Sequence, residues 1–258
     1  MTHIRSDNID SALVLRISEA GEGDLEDMSI VMSDAFEPDL QNRLRYGPRR
    51  TEAVKKEREL MVTNLRAQLL HPPSRFHIIK AVATAGPLSG RMVGWSLFRW
   101  SHGDKPNRPP TMPPDSEKGE TDFTMYLWRE CNEKYVQLMG DRKHVGRPIP
   151  LLLSYFYTAK VNISTSVLSS MYVLPEAQRS GVGSKLLQWA FQQYDLAKEE
   201  IFVQSVHASE GFYQKFGWVT KSSTEIDLSD WAGKNQGWGL YRSPQLIRTP
   251  QTLGRLDG

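Results

Sequence analysis

Residues 171–184 read Met-Tyr-Val-Leu-Pro-Glu-Ala-Gln-Arg-Ser-Gly-Val-Gly-Ser, and the fold turns on this stretch. A strand ends near Pro175, a glycine-bearing turn follows, and a helix begins at about 183. That helix carries Leu186, Leu187, Ala190, Phe191, Tyr194 and Ala197 on one face. Gly181 and Gly183 lack a Cβ, so the backbone can approach a bulky anion. The first helical amides have no intrahelical partner, and the positive helix end lies behind them. Together they form a cradle for a pyrophosphate, with Arg179 adding charge beside it.

Working outward, a strand IFVQSV (201–206), a short helix at about 209–216 and closing strands near 218–227 and 240–248 follow. A strand, helix and strand with a crossover of this length imply a parallel pair. Upstream, 13–18 alternate as a half-buried strand. Asp24 is placed to cap a helix bearing Leu25, Met28, Val31, Met32 and Phe36. A second helix spans about 52–70 and stops at Pro72 and Pro73. Strands at 76–84 and 92–100, joined by a turn rich in glycine and proline, read as an antiparallel hairpin.

Residues 101–120 change character, with five prolines and many charges, and read as an exposed excursion. An amphipathic helix at about 121–140 follows, bearing Phe123, Leu127, Tyr135 and Leu138. The expectation is one domain over 1–258 with an insertion at about 101–150. The 258 residues, 39% hydrophobic and 24% charged, suit a soluble globular chain. A net charge of +2 gives no basic field for nucleic acid. Cys131 is the single cysteine, which excludes a disulfide framework or multi-cysteine metal site and suits a reducing, cytoplasmic home. No stretch has the apolar length of a membrane span, and nothing implies a metal.

Physics alone leaves several nucleotides open at the loop. No Gly-Lys-Ser/Thr follows it, and the dinucleotide spacing fails because position 186 is Leu. What stands there is Gln178-x-x-Gly181-x-Gly183, preceded by Val-x-Pro. This resembles the signature of the GCN5-related N-acetyltransferase (GNAT) family. A second stretch, Glu210-Gly-Phe-Tyr213-Gln-Lys-Phe-Gly217-Trp, resembles the family's "FYxKxGF" segment about thirty residues downstream. The helical insertion and the closing Leu246-Ile-Arg-Thr-Pro are similar to those of fungal members.

The resemblance implies an α/β fold in one domain. Its mixed, mostly antiparallel central sheet has helices on both faces and a parallel pair splayed at the acyl-CoA site. It implies acetyl-CoA as donor and a primary amine of a small molecule or peptide as acceptor, by direct attack in a ternary complex. Met171, Tyr172, Val173, Gln178, Arg179, Ser180, Gly181, Val182, Gly183, Ser184 and Tyr213 would line the donor, with a backbone amide near Val173 polarising the carbonyl. Tyr213 takes the place of the tyrosine that protonates the leaving thiolate, and phenols near pKa 10 are protonated at neutral pH.

The general base is unassigned. Residues 161–174 contain no Asp, Glu or His, although Ser169 and Ser170 can hold a water. His207 can reach the cleft, but a lone histidine is more often structural. Asp122, Glu130 and the substrate's own surroundings are further options. Cys131 has no evident base beside it and is a poor acyl-enzyme nucleophile. Trp95, Trp100 and Trp128 fit an acceptor pocket or, more commonly, core packing. A coenzyme A-binding protein that transfers nothing, and acyl transfer to oxygen or other altered chemistry, stay open. So does the choice between monomer and homodimer.

Overall fold

The computed structural model describes residues 13–36, 51–70, 76–99, 120–139, 144–145, 168–197, 200–230 and 239–250. In chain order these form β1 (Leu15–Glu19), α1 (Leu25–Ala35), α2 (Thr51–Leu69), β2 (Phe76–Ala83), β3 (Met92–Arg99), α3 (Glu120–Met139) and β4 (His144–Val145). Then come β5 (Leu168–Val173), α4 (Val182–Ala197), β6 (Glu200–Gln204), α5 (His207–Gln214), β7 (Trp218–Asp227) and β8 (Leu240–Arg248). The excursion at 101–119 and the run at 151–167 lie outside the described residues, as does the side chain of Trp128.

The strands form two sheets rather than one continuous ladder. The first runs β1-β2-β3-β5, every pair antiparallel; the second runs β4-β6-β8-β7. Among the described residues only β4 and β6 make a parallel ladder, through His144↔Glu200 and Val145↔Ile201. The strands joined by the α4 crossover, β5 and β6, lie side by side, yet the break between the sheets falls between them. The splayed pair is therefore real, and it divides the sheet in two.

Helices cover both faces because each strand alternates. On β3 and β5 the register pairs Trp95 with Tyr172 and Leu97 with Ser170, so these four share a face. That face meets α1: the Trp95 indole is fully buried and donates from Nε1 to the Met28 carbonyl at 2.8 Å. α1 buries Leu25, Met28, Val31 and Met32 at helical spacing, and Arg58 of α2 reaches Asp34 at 3.0 Å. The opposite face, with Gly94, Ser96 and Phe98, meets α4, where Phe98 and Tyr194 stand 5.6 Å apart. In the second sheet Tyr241 and Ile247 pack under Leu127, Cys131 and Tyr135 of α3. Arg242 and Arg248 point the other way, to α5 and α4.

Asp24 corrects one expectation. A short 3-10 turn, Glu22–Asp24, runs straight into α1, so Asp24 is already helical and its side chain makes no cap bond to α1. Its carboxylate instead accepts from the Gly21 amide at 2.7 Å and from Lys80 Nζ at 2.6 Å. It fastens the helix entrance to β2.

Candidate functional site

The site is the seam between β5 and β6 with the loop that leaves β5. The Leu174 amide donates to the Val93 carbonyl at 2.9 Å, which fixes the phase of the β3–β5 ladder. By antiparallel alternation, the amides and carbonyls of Met171 and Val173 then point away from β3, toward the seam. The register skips from Ser170 to Leu168 between Leu97 and Phe98, leaving Ser169 as an extra residue. Such a bulge bends and twists a strand, which is how β5 comes away from its neighbour. On the far side β4 covers only Glu200 and Ile201, so Phe202–Gln204 have no ladder partner on that edge among the described residues.

Beyond Val173 the chain makes a 3-10 turn, Pro175–Ala177, and then a loop held by its own side chains. Gln178 Nε2 donates to the Val173 carbonyl at 3.3 Å, and Ser180 Oγ donates to the Ala177 carbonyl at 2.5 Å. Two residues of the loop are left-handed: Gly181 at φ 89° and Arg179 at φ 61°. A non-glycine residue in that region is held there at a cost, and alternating backbone hands turn successive amides toward one point. The Lys185 amide makes the first helical bond, to Gly181 at 3.0 Å, so the amides of Val182, Gly183 and Ser184 come before it. Gln178, Arg179 and Gly181 are exposed, Ser180, Gly183 and Ser184 half-buried, and Val182 buried.

Gly183 has a packing role beside the expected one. A Cβ there would stand 3.1 Å from Phe212 Cζ, so its bareness lets α5 pack against α4. One position was missed in the sequence: Gly94, where a Cβ would meet both the Tyr172 carbonyl and Val182 Cγ1 at 2.8 Å. Its absence seats the start of α4 on the sheet. A glycine inside an otherwise apolar strand, MVGWSLFRW, was the available signal.

Tyr213 and His207 both lie on α5, which starts at His207 itself rather than two residues later. Tyr213 is buried, its ring 5.3 Å from Phe212 and 5.4 Å from Trp218. Burial, with the Tyr172 phenol beside it, pushes its hydroxyl well above the ordinary value of 10.0. It keeps its proton throughout the neutral range. His207 is exposed, with Nδ1 3.0 Å from Arg242 Nη1 and 3.3 Å from Glu210 Oε2. Where Arg242 donates to Nδ1, the ring proton sits on Nε2, and the exposed nitrogen is a donor rather than a base.

Elsewhere the candidates are less apt. Cys131 is buried, 3.7 Å from Thr224 Oγ1, and burial pushes its thiol up to about 11. It is a packed core residue, which removes it as a nucleophile. Trp95 is likewise core. The buried hydroxyls of Ser169 and Ser170 have no hydrogen-bond partner among the described residues, which leaves both able to hold water. No group of three metal-ligating side chains occurs among the described residues. Nor is any described helix long and apolar enough to cross a membrane.

Residues 156–227, which span β5, the loop, α4, β6, α5 and β7, match the family model of the acetyltransferase (GNAT) domain. The matched stretch is similar to a GNAT acetyltransferase domain and spans 72 of the 258 residues. It is an enzyme domain of the acyltransferase class, and the donor that goes with it is acetyl-CoA. A crystal structure of histone acetyltransferase HPA2 and related acetyltransferase from Corynebacterium glutamicum is similar to this chain. The two are 16% identical with a TM-score of 0.50, over 92% of this chain and 97% of that one. That likeness bears on the fold. The ribosomal-protein-S18-alanine N-acetyltransferase of Escherichia coli is 10% identical with a TM-score of 0.47, over 94% of this chain and 98% of that one.

Proposed function

We propose that the protein transfers the acetyl group of acetyl-CoA to a primary amine of a small molecule or peptide, by direct attack in a ternary complex. The observation that carries this reading is the seam: outward-facing amides of Met171 and Val173 lead into the cradle of 178–184, with Tyr213 buried on the helix beyond. The pantetheine arm of coenzyme A carries amides that suit an open strand edge, as an added strand does. Its pyrophosphate suits the loop and the N-terminus of α4. Met171, Tyr172, Val173, Gln178, Arg179, Ser180, Gly181, Val182, Gly183, Ser184 and Tyr213 are the residues we assign to the donor.

In the transfer step the amine nitrogen bonds to the thioester carbonyl carbon and the carbon–sulfur bond breaks. An amide on the seam edge of β5, that of Val173, faces the developing oxyanion. Tyr213 gives its proton to the departing thiolate, and the proton lost by the amine leaves through water. Ser169 and Ser170 are suited to hold that water, and His207 is the remaining candidate base only in the tautomer that gives its Nδ1 proton to Glu210 Oε2. We read 1–258 as one cytoplasmic domain with an insertion at about 101–150, monomeric or homodimeric.

Calorimetric titration with acetyl-CoA, free CoA and a longer acyl-CoA tests the donor site. CoA release is then followed with hydroxylamine, a polyamine and a short peptide as acceptors. Micromolar donor binding with release in one acceptor supports the reading, and no binding of any thioester sinks it. Tyr213→Phe should lower kcat about tenfold or more with donor affinity little changed. A second reading, binding without transfer, draws on the absence of any carboxylate or imidazole in residues 161–174. Tight donor binding with no release in any acceptor would favour it.

A further inference from the structure

By its sequence α5 is the least self-sufficient helix of the site. It has eight residues, Gly211 in its middle, and Val206 at its N-cap with no side-chain cap bond. A helix of that length does not hold itself in water, so its place is set by what it packs on. Two of its residues are buried, Glu210 and Tyr213. Three apart, they share a face.

Tyr213 rests on Trp218, and Glu210 is tied by both oxygens. Thr220 Oγ1 of β7 donates to Glu210 Oε1 at 2.7 Å, and Arg242 Nη1 of β8 donates to Glu210 Oε2 at 2.7 Å. Gln214 Nε2, in the last turn of the same helix, donates to Thr220 Oγ1 at 3.2 Å and closes the network onto α5. The Thr220 hydrogen bond, ahead of the Arg242 charge, holds the Glu210 carboxyl below its ordinary range although burial works against it. A leucine would seat a helix as firmly; a carboxylate bonded at both oxygens also fixes its rotation and its depth.

We propose that Glu210 is a positioning residue, which ties α5 to β7 and β8 and so sets where the Tyr213 hydroxyl stands against the breaking carbon–sulfur bond. This rests on the reading of Tyr213 as the proton donor. The glutamate touches neither donor nor acceptor and acts through the tyrosine.

A double-mutant cycle on kcat tests it, with CoA release from acetyl-CoA followed in hydroxylamine. Glu210→Ala should lower kcat about tenfold or more, since small misplacements at a reacting centre are costly, and leave the acetyl-CoA Kd within about threefold. In a Tyr213→Phe background the same change should cost nothing further, because its target is gone. Thr220→Val, a milder cut at one oxygen, should move kcat in the same direction and show the same non-additivity; it decides the matter if Glu210→Ala fails to fold. Losses that multiply in the double variants overturn the proposal, as does an unchanged kcat in both single variants. A Tyr213→Phe protein with full kcat shows in its own arm that the proton-donor reading is wrong, and this inference goes with it. A wild-type protein that binds acetyl-CoA but releases no CoA above the uncatalysed rate overturns transfer itself.

Discussion

The two walls of the seam are built in opposite ways. On the β5 side the parts are backbone: a ladder that turns the amides of Met171 and Val173 outward, a bulge at Ser169, and a loop with two left-handed residues. Its side-chain bonds are local, Gln178 to Val173 and Ser180 to Ala177. On the β6 side the parts are side chains brought from far along the chain. Arg248 Nη1 meets Asp195 Oδ1 at 2.6 Å and its guanidinium stacks 3.9 Å from Phe191, while Glu210 gathers Thr220 and Arg242. One wall is a conformation, the other a set of pairs. The first turns backbone donors outward, and the second holds the helix that bears Tyr213.

The contrast breaks most visibly at Arg248. Its side chain is 3% exposed against 10% for Asp195, so removing it leaves a buried carboxylate without its partner. Arg248→Ala should cost about 3 kcal/mol in urea unfolding. A loss below about 1 kcal/mol would show that the β6 wall does not depend on this pair.

On the opposite wall Gly181→Val should act on the ligand. The φ of 89° is unfavourable for any β-branched residue, and resisting it costs about 1–3 kcal/mol. The expected result is acetyl-CoA binding weakened about tenfold by calorimetry, with the urea midpoint moved less than by Arg248→Ala. Unchanged binding would mean that the loop is a turn and not a cradle.

Gly183→Ala sharpens the boundary between the walls. The new methyl meets the Phe212 ring at 3.1 Å, and crowding there should lower stability by about 1 kcal/mol. Phe212→Leu in the same chain should recover part of that loss. If donor affinity falls while stability holds, Gly183 faces the anion after all.

The smallest effect is on acid stability. The Glu210 carboxyl titrates below its ordinary value in the folded chain, so folding releases protons at low pH. Its contribution is complete above the unfolded value, about 4.3, and is lost as pH falls through the folded one. The groups facing it are Arg242, His207 and Thr220, with Glu225 3.5 Å from Arg242 Nε. The gap in urea midpoint between wild type and Glu210→Gln should therefore narrow below about pH 4. A gap that is constant with pH would assign the effect to packing alone.

Much of this was legible in the residues, for reasons that differ by element. β7 and β8 stand where the closing strands were expected, and α4 begins within one residue of its expected start. The hairpin of β2 and β3 was equally plain from its apolar runs and turn residues. Asp24 was misread because a carboxylate before a helix suits both a cap and an ion pair, and Lys80 lies 56 positions away. The packing role of Gly183 was not legible because its neighbour in the fold, Phe212, is not its neighbour in the chain.

By itself the sequence determined what is local: the periodicities that make the helices and strands, the glycine that permits a left-handed turn, and a tyrosine about thirty residues behind a glycine-bearing loop. These depend on bonds and backbone hands that a few consecutive residues settle. Only the tertiary structure decided where the sheet parts, which face each helix covers, and that Glu210, Thr220 and Arg242 meet around the helix that bears Tyr213. Such meetings depend on which distant groups exclude water together, and no spacing along a chain encodes that.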